Sequence, residues 1–263
     1  MPLAFFTTLA DPSCLLGRPD YSLLSDQSLM EILVQDAEFS LPNVFKDNDG
    51  AFLDIDSWET IKLDADGKVI FIEFVECFGC GKLNLEAIPR SVRKFEVGNT
   101  ECSGDVPFSK LCNEVRFMTL HDTWFYGSVD LTRIPRKMIR FTLSRSKFSG
   151  TLDFSNLPPT LVALDLRWNA FTGSIDISYI TANIREDSFQ HFQLQFYDAE
   201  PVEGMDFGID LSKNQFEGDI IVRDLSKITD EGQFRENKSE YMRDTKGERQ
   251  LLEQLLAEDD FEF

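Results

Sequence analysis

The residues best equipped for chemistry are a handful of thiols, two imidazoles and a surplus of carboxylates. The run CFGC at 77–80, with Cys102 and Cys112 downstream, supplies four thiolates of the kind that hold a tetrahedral zinc. With Cys14 the count is odd, at 5, and no regular spacing links the cysteines. They read as free thiols of a reducing compartment. The segment FKDNDGAFLDID has the outline of a calcium loop, with Asp47, Asp49 and Gly50 at three of its positions. Its first position is Phe45 and its last is Asp56 instead of glutamate, so a polar turn is the better reading. His121 and His191 stand in no triad or metal motif, and no phosphate loop or dinucleotide fingerprint is present. Asp54 and Asp56 lie close, but among 46 acidic residues such pairs are solvated surface. The expectation is a chain with no catalytic residues, no cofactor and no metal.

Charge narrows the partners further. A net charge of −20 opposes nonspecific association with nucleic acid or anionic membranes. No apolar run is long enough to span a bilayer. The opening MPLAFFTTLADPS lacks a basic leader region, which predicts a cytoplasmic protein. The 24 phenylalanines predict a Phe-rich interior.

What positions these residues is a repeat. Gly81, Gly104, Gly127, Gly150 and Gly173 are each 23 residues apart. Nine and seven residues before each glycine stand Ile72/Phe74, Phe95/Val97, Met118/Leu120, Phe141/Leu143 and Leu164/Leu166. Two and four after it stand Leu83/Leu85, Val106/Phe108, Val129/Leu131, Leu152/Phe154 and Ile175/Ile177. A period in the twenties predicts a solenoid with one strand per unit, stacked because no unit can bury its own core. Glycine is expected to close the turn after each strand.

The unit resembles the leucine-rich repeat, in the form LPxxLxxLxLxxNxFxGxIDL, over residues 58–225. It is similar to the 23–24-residue class of plant-type receptor ectodomains and large protist repeat families. The resemblance implies a right-handed curved α/β-type solenoid, with a parallel β-sheet on the concave face and a mostly irregular convex side. Asn169 and Asn214 match the family's asparagine ladder, and Cys77, Thr100, Thr123 and Ser146 hold that position elsewhere. In this register Cys77 and Cys102 are core slots, which argues against the zinc reading.

The glycine due at 196 is missing, and GIDLSKNQFEG ends at Gly218, 45 residues after Gly173. Residues 181–206 are therefore a decayed repeat or an insertion. FQHFQLQF could supply a strand, and the decayed repeat is the expectation. Residues 1–57 form an N-terminal helical and cap region, with a helix near 25–38 after SDQSLMEILVQDAE. The following DSWETIKLDADG resembles the family's N-terminal cap without the cysteines of secreted relatives. Residues 226–263 read as an acidic tail with a short amphipathic helix through Leu251, Leu252, Leu255 and Leu256. That tail either docks elsewhere or folds back as a cap.

The same register identifies the side chains facing out from the sheet. The first units present acids, and the next three present Phe117, His121, Trp124, Arg140, Arg145, Arg167 and Trp168. Residues 127–172 hold seven basic residues against three acidic ones, inside a strongly acidic chain. Aromatics and arginines on a rigid sheet are the material of interface hot spots. These seven residues are the expected partner site, and the expected function is a non-catalytic scaffold or adaptor that binds a protein or peptide. The alternatives are a truncated receptor-like ectodomain and an enzyme of unrecognised type.

Overall fold

A computed structural model describes residues 21–40, 44–178, 180, 208–225 and 234–252. Six parallel strands build its main sheet: β3 (Val69–Val75), β5 (Lys94–Gly98), β6 (Phe117–His121), β8 (Arg140–Thr142), β10 (Ala163–Asp165) and β12 (Gly208–Asp210). Ile72, Phe95, Met118, Phe141, Leu164 and Ile209 pair in register from one strand to the next, and all are buried. This is the alternation of a strand with one face on the core. At the N-terminal edge, β2 (Ile61–Leu63) joins antiparallel.

The chain leaves each strand through a non-glycine residue in the left-handed region. After the six strands these are Glu76, Asn99, Asp122, Arg145, Trp168 and Lys213, and Glu236 takes the same conformation one unit on, with φ from 50° to 58°. The expected place for the turn was the repeat glycine, but the glycines lie farther along. They fall in or beside the short strands of the opposite wall: β4 (Phe78–Lys82), β7 (Tyr126–Ser128), β9 (Lys147–Gly150), β11 (Ala170–Gly173) and β13 (Gln215–Phe216). The last four form a second parallel sheet, so this wall is more regular than the family pattern implies. Single 3-10 turns at Leu85–Ala87, Phe108–Lys110 and Leu131–Arg133 carry the chain back. Gly81 has a reason of its own. It sits at φ +109°, and a Cβ there would lie 2.4 Å from the Asp36 carbonyl oxygen.

That contact comes from β1 (Asp36–Phe39), which crosses antiparallel onto β4. It follows α1 (Asp26–Val34), capped by the Ser25 hydroxyl accepting from Ser28 N–H. The expected helix thus stops at Val34, and its last residues become the strand. Asp26 accepts from Val69 N–H at 2.8 Å, tying the helix to the first long strand. Trp58 is buried edge-on against Phe45, which stacks on Phe78 at 5.5 Å. The cap is closed by aromatic packing.

The asparagine ladder decides the course of the C-terminal half. Asn214 donates to Leu166, Leu211 and Ser212 carbonyls at 3.0–3.1 Å and accepts from Phe171 N–H at 3.2 Å. Asn169 does the same one unit earlier. With β12 directly beside β10, no rung stands between them. A decayed repeat would have placed a strand between them, and the pairing leaves no room for one in the main sheet. FQHFQLQF lies outside the described residues.

The boundary at 225 also moves. Asn237, 23 residues after Asn214, accepts from Phe216 N–H and donates to the Leu211 and Phe234 carbonyls. Phe234 and Met242 are buried. β14 (Ile220–Val222) pairs in parallel with β15 (Tyr241–Asp244), and β16 (Arg249–Leu251) folds back antiparallel on it. The stack runs on to Leu252, and Leu251 belongs to a strand where an amphipathic helix was expected. Leu255 and Leu256 lie outside the described residues. The unit escaped notice because Tyr241 occupies the place of the repeat glycine.

Asn214→Ala should lower the unfolding free energy by about 2–4 kcal/mol in urea titrations, since it strands several buried backbone groups. Thr100→Ala should cost only about 1 kcal/mol, because its hydroxyl donates to Phe78 O alone and accepts one N–H. Deleting 240–263 should lower Tm by more than about 5 °C, because it exposes Ile220 and Phe234. An unchanged Tm would return this segment to the status of a tail.

Candidate functional site

The outer face of the main sheet carries three short rows, set by strand pairing. Phe71, Lys94, Phe117, Arg140 and Ala163 form one. Glu73, Glu96, Thr119, Thr142, Asp165 and Asp210 form the next. Val75, Gly98 and His121 form the third.

Charges on this face are unequally satisfied. Lys94 lies between Glu73, which it touches, and Glu96 at 3.1 Å. Burial opposes its charge, but the two carboxylates hold its pKa above the usual lysine value. Arg167 reaches Asp165 at 3.4 Å and Asp210 at 3.3 Å. Arg140 differs. Its Nε donates to Thr142 Oγ1 at 3.3 Å, and no carboxylate among the described residues lies within salt-bridge distance of it. Thr119 and Thr142, its neighbours in the second row, are neutral.

The seven residues picked from sequence do not form one patch. Phe117, His121 and Arg140 are on the sheet, with Arg167 just past its end. His121 lies flat on its neighbour: a Cβ on Gly98 would fall 1.9 Å from the imidazole. Its Nδ1 is buried with no partner among the described residues. Arg145 and Trp168 occupy left-handed turns and belong to a separate ridge. Along that ridge Asn99 donates to Glu76, Arg145 pairs with Asp122 at 3.6 Å and stacks over Trp168, and Lys213 bridges Trp168 and Glu236. Trp124 lies two residues beyond the ridge, 45 % exposed, with Lys147 Nζ 3.8 Å from its ring centre. Asp210 and Lys213 were missed, because the assumed extra repeat separated them from Asp165 and Trp168. The ladder match at Asn214 was the signal that could have restored them.

No family model and no curated protein matches the chain. Solved structures do. A crystal structure of a pollen receptor kinase 3 superposes with TM-score 0.52 at 17% identity, covering 82% of this chain and 95% of that one. The PEPR1-AtPEP1 crystal structure gives TM-score 0.51 at 19% identity, over 74% of this chain and 25% of the other, so this chain spans a quarter of that length. The fold is the leucine-rich-repeat solenoid. At these identities the likeness is one of fold.

In this leucine-rich-repeat stack the other chemical candidates fall to structural roles. Cys77 and Cys102 are buried in repeat core slots. Burial pushes the thiols of Cys77, Cys102 and Cys112 up, away from the reactive thiolate form. Among the described residues no three His, Cys, Asp or Glu side chains stand close enough to share a metal. Asp47 accepts from Asp49 and Ala51 N–H, which makes its segment a closed polar turn. No helix among the described residues is long and apolar enough to cross a membrane. Cys14 and His191 lie outside the described residues.

Asp165 is the one strongly perturbed acid of the sheet face. Burial pushes it up to about 6, with Asp210 adding to the rise while Arg167 and Arg140 oppose it. Between pH 4 and 7 the folded chain therefore holds a proton that the unfolded chain has released, and folding stability falls as pH rises. Asp165→Asn removes that titration. The stability of the variant relative to wild type should rise by up to about 3 kcal/mol between pH 4 and pH 7, read by urea melts at each pH. A pH-independent difference would contradict the assignment.

Proposed function

We propose that the sheet face recognises a protein or peptide partner, and that Arg140 supplies its central polar anchor. The observation that carries this reading is an arginine with no ion-pair partner among the described residues, seated between Phe117 and Ala163 on a rigid sheet. Its remaining guanidinium N–H groups fit a carboxylate, and Phe117 offers apolar area beside it. A preformed sheet loses little entropy on binding.

The fold likeness favours a recognition module of receptor-ectodomain type over a cytoplasmic scaffold. One of the matched structures is named for both PEPR1 and AtPEP1, a solenoid of this fold together with a second component. Of the thiols that suggested a reducing compartment, Cys77 and Cys102 fill core slots, and packing accounts for these two in any compartment.

Arg140→Glu tests the reading. Affinity capture with mass spectrometry should lose at least one partner retained by wild type, while Tm moves by less than about 2 °C. Identical partner sets, or no partner for the wild type, would overturn it.

A further inference from the structure

A groove of about 710 Å³ opens beside the turn ridge, away from Arg140. Its lining includes Thr100, Glu101, Asp122, Thr123, Trp124 and Arg145. Glu101, Trp124 and Lys147 are equivalent positions of successive repeats, 23 residues apart. The indole is therefore flanked by the Glu101 rung on one side and the Lys147 rung on the other. The Lys147 ammonium is seated over the ring at 3.8 Å, yet Lys147 is not among the groove residues. Trp124 and Glu101 both line the groove.

Glu101 makes no ion pair with any described residue. Asp122 is paired only with Arg145, at 3.6 Å, both side chains being well exposed. An exposed pair of this kind is weak and exchanges readily. The groove thus offers an aromatic face, an unpaired carboxylate and a second carboxylate that can be shared. That combination selects a cation and repels an anion. Lys147 over the ring is an internal example of the same interaction.

We propose that this groove receives a lysine or arginine side chain of a bound peptide, stacked on Trp124 and paired with Glu101. This rests on the reading of the solenoid as a peptide or protein recogniser and adds the chemistry of one ligand residue. Together with Arg140, it describes a ligand with an acidic group over the sheet and a basic group over the ridge.

The test is a titration of the full chain with N-acetyl-arginine amide, followed at the Trp124 indole N–H resonance, which Trp124→Phe assigns. Saturable shifts in the millimolar range are expected. N-acetyl-citrulline amide and N-acetyl-glutamate amide should leave the resonance in place. Glu101→Gln should weaken the arginine response about fivefold, in line with one exposed charge contact. An equal response to citrulline, an unchanged response in Glu101→Gln, or shifts centred on Trp168 would overturn the proposal. The probe needs no captured partner. Loss of capture in Arg140→Glu with no arginine response would therefore sink this groove and leave the parent reading standing.

Discussion

The side-chain amide of Asn214 stands in for a missing piece of backbone. Where the chain turns out of the main sheet, carbonyls of two neighbouring rungs converge on this buried amide. One amide nitrogen donates to three of these carbonyls, and the amide oxygen accepts a fourth bond from the Phe171 N–H. A buried carbonyl without a partner costs about 1–3 kcal/mol, so every rung must solve this problem. Asn169, Asn214 and Asn237 solve it fully. Ser146 donates to the Ser144 carbonyl at 3.3 Å and bonds Thr123 at 2.8 Å, and Cys77 offers only a weak thiol donor to Val75 O.

The left-handed turn is the other half of that solution. Each of its seven residues sits in a region that costs a non-glycine residue about 1 kcal/mol. The return is an inter-rung hydrogen bond: the N–H of Asn99, Asp122, Arg145 and Trp168 donates to His121, Ser144, Arg167 and Ser212 carbonyls. Behind the turns, Phe125, Phe148, Phe171 and Phe216 form a buried spine. The side chains that remain outside are then held at fixed spacing on two surfaces, the sheet and the ridge. Recognition chemistry on this molecule depends on that stiffness more than on any single residue.

Much of this was legible in the sequence because a stack repeats its constraints. The 23-residue period located the core pairs Ile72/Phe74 through Leu164/Leu166, all buried, and it removed Cys77 and Cys102 from the list of metal ligands. The period failed where one unit lengthened. Counting forward from Gly173 invented a rung, and it separated Asp165 from Asp210 although their strands are paired. Counting from the glycine also hid the last unit, since the need met there is the asparagine at 237, while Tyr241 takes the place of the glycine.

The candidate site was legible only as a register. Periodicity says which residues face out, because side-chain direction alternates along a strand and recurs with every turn of the stack. It cannot say which outward charges are spent on one another. Arg140, Arg145 and Arg167 look alike in sequence, yet Arg145 is shared between Asp122 and Trp168, Arg167 between two aspartates, and Arg140 has no carboxylate partner among the described residues. The sequence by itself determined the repeat, the inward residues and the absence of recognised catalytic motifs, since these follow from local spacing. Which rung lies beside which, and hence which charge stays unpaired, was decided by tertiary stacking. Coulomb and hydrogen-bond contacts across rungs join residues 23 or 45 positions apart, beyond the reach of any local pattern.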